Sequence, residues 1–244
     1  LTQENYLLYN PASELVIIQP TPSLPVVLSV EEVERLMQQP QTNTASGLRD
    51  RAILELFYST GIRRTELCKL QRHDLSLTRK TLYVRQGKGK KDRLLPVGER
   101  ALHWVKRYLA ETRPQLLIDI QQNHMFLNDY GTAFRDNKLG DKVKRYLRQA
   151  GIEVLGSCHL LRHAMATHML ENGADIRFIQ AMLGHAGLAS TQIYTHVSIR
   201  ALQDVHARTH PAKLERSENP SETTGNTEVT RPLRLAEEAE TDEI

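Results

Sequence analysis

The segment from residue 158 to residue 196 concentrates side chains that suit attack on a phosphodiester. It contains an arginine, Arg162, two histidines, His159 and His185, and a tyrosine, Tyr194. A guanidinium offers a planar pair of donors to the non-bridging oxygens of a phosphate, and an imidazole titrates near neutral pH. A phenol can act as the nucleophile. Together these four side chains predict chemistry at a phosphate ester.

Two of these side chains also have more ordinary interpretations. His159 and His163 stand four residues apart, as zinc ligands on a helix do, but Leu160 fills the position of the glutamate in a His-Glu-x-x-His site. We therefore disfavour a zinc site. A lone tyrosine near a chain end is usually a packed aromatic, and only the neighbouring groups favour a chemical role for Tyr194.

Helical periodicity predicts the elements that position these groups. Apolar residues follow helical spacing at Ile176, Ile179, Met182 and Leu183. An aspartate precedes this helix and Gly184 ends it, which leaves His185 on the turn that follows. A second helix, starting near Leu160, would hold His159 and Arg162 in its first turn, where an anion is favoured.

A second arginine, Arg63, lies at the joint between two further predicted helices. The first runs from about Leu48 and stops at Gly61, and a short second helix begins near Thr65. An arginine at such a joint can be held rigidly by both helices. The alternative is a solvated arginine on a surface turn.

Residues 73–97 form the clear β region of the sequence. Residues 81–85 alternate in polarity, residues 93–97 return, and a loop of glycines and lysines over 87–91 predicts a hairpin tip. A loop of this composition can approach a phosphate backbone closely. It lacks the Gly-Lys-Ser/Thr ending of a Walker loop, so nucleotide triphosphate binding is excluded. A solvated basic turn is the alternative interpretation.

The remaining folded segments predict helices. Ser29 to Glu32 forms a capping box that opens the first helix, and other helices begin at Glu99 and cover residues 198–208. A helix that ends at Gly151 has a basic face, which is either simply solvated or lies along a DNA backbone. The residues of this face are Lys138, Lys142, Lys144, Arg145 and Arg148. The sequence therefore predicts a mainly α fold with a small antiparallel β-sheet or hairpin, of the α+β class.

Charge is unevenly distributed along the 244 residues. Residues 211–244 carry four basic and nine acidic side chains, a net charge of −5, whereas residues 1–210 carry a net charge of +8. A basic body predicts a polyanionic partner, and an acidic tail without aromatic residues predicts disorder. Residues 1–27 are rich in proline, as linkers are. We expect a linker over 1–27, a folded domain over 28–210 and a disordered tail over 211–244.

The sequence also predicts a cytoplasmic protein. Its two cysteines, Cys68 and Cys158, do not make a disulfide framework, which favours a reducing cytosol. The sequence contains neither an apolar run of membrane-spanning length nor a signal peptide. We therefore expect no association with a membrane.

Five short motifs resemble those of the tyrosine recombinases, the family of Xer recombinases and phage integrases. In chain order they are Thr60–Leu67 around Arg63, the hairpin lysine Lys88, His159–His163, Leu183–His185, and Tyr194 within Thr191–His196. Their order and spacing are similar to those of the family over about residues 28–210. The resemblance implies a tyrosine recombinase catalytic domain and the activity of a site-specific DNA recombinase or integrase.

The resemblance also assigns roles to individual side chains. Tyr194 would attack the scissile phosphorus, forming a 3′-phosphotyrosyl bond and freeing a 5′-hydroxyl. Arg63 and Arg162, helped by a donor from His185, would bind the non-bridging oxygens as negative charge develops in the transition state. These roles agree with the chemistry expected of each side chain.

Two proton transfers complete the implied mechanism. His159 would be the general base for the tyrosine, and Lys88 would protonate the departing 5′-oxygen. Because the covalent link preserves the energy of the phosphodiester, neither ATP nor a metal or other cofactor is needed. Strand exchange, done twice, would pass through a Holliday junction. Family members act on double-stranded DNA as four protomers on two duplexes, which implies a homo- or hetero-tetramer associated with the nucleoid.

The chain departs from the family in one respect. Tyrosine recombinases normally carry a helical DNA-grasping domain upstream, whereas this chain begins at the linker, so that domain is expected to be absent or on a separate piece. Two alternative functions are a DNA-binding module that has lost catalysis and a type IB topoisomerase, which reseals strands without exchanging partners. All the catalytic positions carry the expected residue types, which argues against an inactive binding module. The residues of the hairpin and Leu-Gly-His motifs are Xer-like, which argues against a topoisomerase.

Overall fold

The computed structural model describes residues 27–85, 92–184 and 199–212. Predictions for most of the linker, for the hairpin tip, for the segment that follows Gly184 and for the acidic tail lie outside these residues. Three of the predicted site residues, Lys88, His185 and Tyr194, are among them.

Helices make up most of the described residues, with one small sheet. The helices are α1 (Val30–Met37), α2 (Ala45–Thr60), α3 (Arg64–Lys69), α4 (Glu99–Arg107), α5 (Arg113–Leu116), α6 (Asp136–Gln149), α7 (Cys158–Glu171), α8 (Ile176–Leu183) and α9 (Ile199–Thr209). A π-helical turn, Tyr108–Thr112, joins α4 to α5. The predicted mainly α fold with a small antiparallel sheet is therefore confirmed. Among the described residues, no helix has the length and apolar character needed to cross a bilayer.

Capping residues decide where the first two helices begin. Ser29 Oγ accepts from the amide of Glu32 at 3.2 Å, and the Glu32 carboxylate accepts from the amide of Ser29 at 2.9 Å, so the predicted capping box is present. Helix α2 begins at Ala45, earlier than the predicted Leu48, because Thr44 caps its first turn. The start of α2 is thus set by its capping residue, which precedes the first apolar residue of the periodic pattern.

The sheet has three antiparallel strands rather than the two predicted. Strands β1 (Leu75–Ser76), β2 (Thr81–Val84) and β3 (Arg93–Pro96) follow one another in space, with Leu82 opposite both Leu75 and Leu95. Strand β1 is only two residues long. It forms because it pairs with β2, and not because its residues have a high β-propensity.

Helix α2 runs through the centre of the core and contacts both α4 and α7. Its residues from Leu48 to Thr60 are buried, apart from the half-buried Arg51. The buried Glu55 carboxylate accepts from Arg51 and Arg100 at 2.8 and 2.9 Å. Because the core around α2 is close-packed, the C-terminal end of this helix, from which the next turn leads on, has a well-defined position.

One lysine of α6 departs from the predicted basic face. Lys142 Nζ donates to Asp50 at 2.8 Å, and Tyr146 Oη donates to the same buried carboxylate at 2.7 Å. Lys142 thus compensates a charge inside the domain and is not free for an outside partner. The other four residues of the face are exposed: Lys138, Lys144, Arg145 and Arg148.

Candidate active site

Three consecutive carbonyls at the C-terminal end of α8 each accept a hydrogen bond from a different arginine. Arg93 donates to Met182 O at 3.1 Å, Arg162 to Leu183 O at 2.7 Å, and Arg63 to Gly184 O at 3.3 Å. The last carbonyls of a helix lack partners within the helix and carry a partial negative charge. The end of α8 therefore gathers three guanidiniums from α7, β3 and the turn before α3.

A second helix end contributes to the same arrangement. Arg162 Nη1 donates to Gly61 O at 2.5 Å, so this guanidinium bridges the ends of α2 and α8. Gly61 and Gly184 have φ angles of 60° and 62°, the left-handed conformation that ends a helix and that glycine adopts most readily. At Gly61 a Cβ atom would also come within 2.2 Å of Met165 Cε. These two predicted glycine stops are thus present, and both position arginines.

Glu66 is the carboxylate that organises two of the arginines. Arg93 binds it through two hydrogen bonds of 2.9 and 2.7 Å, and Arg63 Nη1 donates to it at 2.9 Å. The amide of Arg63 also donates to Glu66, at 2.9 Å. Burial alone raises the pKa of Glu66, but the hydrogen bonds and charges of Arg93 and Arg63 outweigh it and lower the pKa to about 2. Glu66 is therefore ionised at neutral pH and fixes the orientation of Arg63.

The cluster carries more positive than negative charge. Three guanidiniums surround one carboxylate, and in the parts of the chain that the structure describes Arg162 forms no ion pair of its own. Burial, followed by the neighbouring charges of Arg63 and Arg93, lowers the pKa of Arg162 to about 10. Arg162 still carries its proton at neutral pH. An anion bound between Arg63 and Arg162 would compensate the excess charge, and the forked donors of arginine match a phosphate group.

His159 lies in the same cleft as the two arginines. It is exposed and occupies the second position of α7, one turn before Arg162. The cleft has a volume of about 320 Å³ and is bounded by Arg63, His159 and Arg162 together with Ile62, Arg64, Thr65, Ser157 and Cys158. The structure thus brings together three of the six predicted site residues, while Lys88, His185 and Tyr194 lie outside the described residues.

Two members of the cluster were not assigned a role from the sequence. In the sequence Arg93 begins the returning strand and Glu66 lies within the motif around Arg63, and neither position by itself predicts a role for the side chain. The side chains of Arg93 and Glu66 are 5% and 6% exposed. Arg93 is a charged residue in an otherwise apolar strand. Because charged side chains are rarely buried unpaired, this pattern could have indicated a buried carboxylate partner. In residues 27–85, 92–184 and 199–212, no three His, Cys, Asp or Glu side chains are grouped so that they could hold a metal ion.

Known proteins are similar to this chain in sequence over most of its length. Residues 26–200 match the model of the phage integrase family. The tyrosine recombinase XerC 2 of Ralstonia nicotianae is 53% identical over 219 residues, which cover 89% of this chain and 63% of that protein. This chain therefore spans less than two thirds of the length of that relative.

Solved structures of recombinases are also similar to this chain. The XerA recombinase superposes with a TM-score of 0.61 at 35% identity, over 80% of this chain and 68% of XerA. The XerH site-specific recombinase, bound to its palindromic difH substrate in a post-cleavage complex, superposes with a TM-score of 0.60 at 27% identity, over 75% of this chain and 52% of XerH. The match to the family model covers well over half of the chain, and the fold agrees with it. The chain belongs to the phage integrase family.

Proposed function

We propose that this chain cleaves and rejoins DNA strands as the catalytic part of a site-specific recombinase. The observation that carries the proposal is the anchoring of Arg63 and Arg162 beside one cleft, with guanidinium charge in excess of carboxylate charge. A phosphodiester is an anion of the size and geometry that two such guanidiniums bind. The similar XerH recombinase, described with its substrate after cleavage, supports the same assignment.

In the proposed first step, the phenol oxygen of Tyr194 forms a bond to the scissile phosphorus. The bond from phosphorus to the 5′-oxygen breaks, and the result is a 3′-phosphotyrosyl link and a free 5′-hydroxyl. His159 accepts the phenol proton, and Lys88 donates a proton to the departing oxygen. No atom is lost or oxidised, so the reverse reaction with a 5′-hydroxyl restores the DNA backbone.

The arginines stabilise the charge that builds up on the non-bridging oxygens during this step. Because carbonyls of α2 and α8 and the carboxylate of Glu66 already hold Arg63 and Arg162, little reorganisation is needed when the phosphate enters. Donors fixed in advance in this way are usually the largest contribution to catalysis of phosphoryl and acyl transfer. His185, the next residue after the carbonyls of α8, is proposed to add a further donor.

Exchange of partners follows from the reversibility of the link. Attack by a 5′-hydroxyl of a second duplex joins strands of different duplexes, and two such rounds produce and resolve a Holliday junction. We propose that four protomers act on two duplexes, that double-stranded DNA is the partner, and that neither ATP nor a metal is consumed or required. A protein with this activity would work at the nucleoid in the cytoplasm.

The test traps the covalent intermediate. The chain is incubated with a pool of duplexes of varied sequence, each labelled on the strand that would become linked and nicked so that the short 5′-hydroxyl fragment diffuses away. We expect a labelled protein band on a denaturing gel, and no such band with Tyr194→Phe, which keeps the aromatic ring but lacks the nucleophilic oxygen.

Two further outcomes separate the alternatives. DNA binding without any covalent band would identify a binding module and overturn the proposal. A covalent band together with relaxation of supercoils, but without branched products from duplexes that share a site, would identify a topoisomerase. Formation of Holliday junctions is the expected result.

A further inference from the structure

Two histidines, His206 in α9 and His210 directly after its last residue, close the C-terminal end of α2. His206 Nε2 lies 2.7 Å from Ser59 O, and His210 Nε2 lies 2.9 Å from Tyr58 O. These carbonyls belong to the last turn of α2, where the chain's own amides no longer supply donors. Both imidazoles are buried, with 4% and 3% of the residue exposed, so the side chains themselves supply the donors to these carbonyls.

The hydrogen bonds define the form of His210. Its Nδ1 accepts from the amide of Ala212 at 3.1 Å, so Nδ1 carries no proton and Nε2 must donate to Tyr58 O. His206 faces the carbonyl of Ser59 through Nε2, which must also be a donor. The two rings stack with centroids 4.6 Å apart and planes inclined by 13°. Both imidazoles thus donate through Nε2, and His210 does so in its neutral form.

The capped turn is the one that leads into the candidate active site. Within four residues of chain, the carbonyl of Tyr58 accepts from His210, that of Ser59 from His206, and that of Gly61 from Arg162. Immediately after Gly61, the amide of Ile62 donates to Thr60 Oγ1 at 3.3 Å and the amide of Arg63 donates to Glu66 at 2.9 Å. The seating of α9 and the position of Arg63 are therefore connected through one short, fully buried turn.

We propose that His206 and His210 are positioning residues that hold the turn from Gly61 to Arg63 in register with Arg162, so that phosphate binding depends on the docking of α9. The inference rests on the proposed function for its catalytic consequence, but the structural coupling stands without it. In the sequence, α9 begins five residues after Tyr194. Because α9 follows Tyr194 so closely in the sequence, a cleavage test has to separate an effect on the arginines from an effect on Tyr194.

The first test measures the turn directly and needs no DNA. In the intact chain, hydrogen exchange is followed at the amides of Gly61, Ile62 and Arg63, all of which are hydrogen-bonded. His206→Leu and His210→Leu remove the donors while keeping an apolar side chain, and should speed exchange at these amides. His206→Gln and His210→Gln place an amide donor close to the position of Nε2 and should restore the slow exchange.

A matched control on the same helix separates the coupling from general loosening of α9. Gln203 donates to Arg79 O at 2.6 Å, a contact between α9 and the turn that precedes β2. Gln203→Ala should leave exchange at residues 61–63 unchanged. Native exchange at these amides in the leucine variants would overturn the proposal, as would failure of both glutamine variants to restore it.

The second test asks whether the leucine variants cleave DNA more slowly because Arg63 and Arg162 are displaced. In a methylphosphonate substrate one charged non-bridging oxygen is replaced by methyl, so the transition state needs less positive charge. The leucine variants should lose roughly 10- to 100-fold in cleavage rate on ordinary DNA, and Arg63→Ala should lose at least as much. On the methylphosphonate both deficits should shrink to a few-fold.

Equal deficits of the leucine variants on the two substrates would mean that α9 acts through Tyr194 rather than through Arg63 and Arg162, and would overturn the catalytic part of the inference. If the unmodified chain cleaves neither substrate, the proposed function fails, and the exchange measurement still decides the structural coupling. The glutamine variants, which keep both donors, should cleave both substrates at close to the native rate.

Discussion

Arg93 and Glu66, 27 residues apart in the chain, form a buried bidentate ion pair with distances of 2.9 and 2.7 Å. Through Arg93 the pair ties strand β3 to the end of α8, and through Glu66 it ties both to the backbone and side chain of Arg63. A residue that the proposed mechanism uses directly is therefore oriented by a pair that does not itself face the cleft. The reactive geometry depends on this support.

Glu66→Gln should destabilise the chain strongly. The substitution keeps the shape of the side chain but leaves Arg93 buried without a compensating charge, which costs about 3 kcal/mol in the free energy of unfolding. Urea unfolding measures it. The control is Glu111→Gln, which breaks an exposed pair with Arg107 on the surface and should change the stability little. Similar losses for the two variants would contradict the structural role of Glu66.

The capping histidines make stability depend on pH. Burial lowers the pKa of His206 below its usual 6.5. Burial first, and then the neighbouring His206, Arg100 and His168, hold the pKa of His210 well below that value, although its hydrogen bond to Tyr58 O acts in the opposite direction. The unfolded chain takes up protons near 6.5 while the folded chain does not, so stability should fall as the pH decreases below about 6.5. Urea unfolding between about pH 5 and about pH 8 measures the slope. The double variant His206→Gln, His210→Gln should show a flatter dependence, and an unchanged slope would refute this origin.

Lys138 and Lys142, one turn apart on α6, should behave differently when replaced by alanine. Lys138 is exposed, and if it contacts a DNA phosphate its loss should reduce the slope of log K against log salt by about 0.9. Lys142 is engaged with Asp50, so Lys142→Ala should lower the free energy of unfolding and leave the salt slope unchanged. Binding titrations at several salt concentrations measure the slopes. A reduced slope for Lys142→Ala would show that the Asp50 contact is given up on DNA.

Local features of the sequence predicted the local features of the structure. The capping box at Ser29 and the helix ends at Gly61 and Gly184 depend only on residues within one turn, and all three are present. The grouping of Arg63, Arg162 and His159 in one site was predicted from the order of the motifs along the chain. No rule about local structure predicts it. The distant pairs could not be predicted, because the Arg93–Glu66 and Lys142–Asp50 contacts join residues 27 and 92 positions apart. Only the packing of separate elements reveals such pairs.

Lys88, which the sequence predicts in a hairpin tip and which lies outside the described residues, carries the sharpest prediction about the mechanism. An alkoxide is a poor leaving group, so if Lys88 is the general acid, Lys88→Ala should slow cleavage of ordinary DNA by roughly 10²–10⁴-fold. Replacing the bridging 5′-oxygen by sulfur gives a leaving group of far lower pKa, which departs without a proton. On that substrate Lys88→Ala should cleave nearly as fast as the unmodified chain.

Arg63→Ala provides the control, because it should remain defective on both substrates. The charge that develops on the non-bridging oxygens needs neutralising whichever atom leaves, and the contacts of Arg63 with Glu66 and Gly184 hold its guanidinium beside the cleft proposed to bind the phosphate. Single-turnover cleavage rates on matched oxygen and sulfur substrates give the comparison. If sulfur fails to rescue Lys88→Ala, then Lys88 contacts the phosphate rather than protonating the leaving oxygen, and Lys90 and Lys91 become the candidates for the acid.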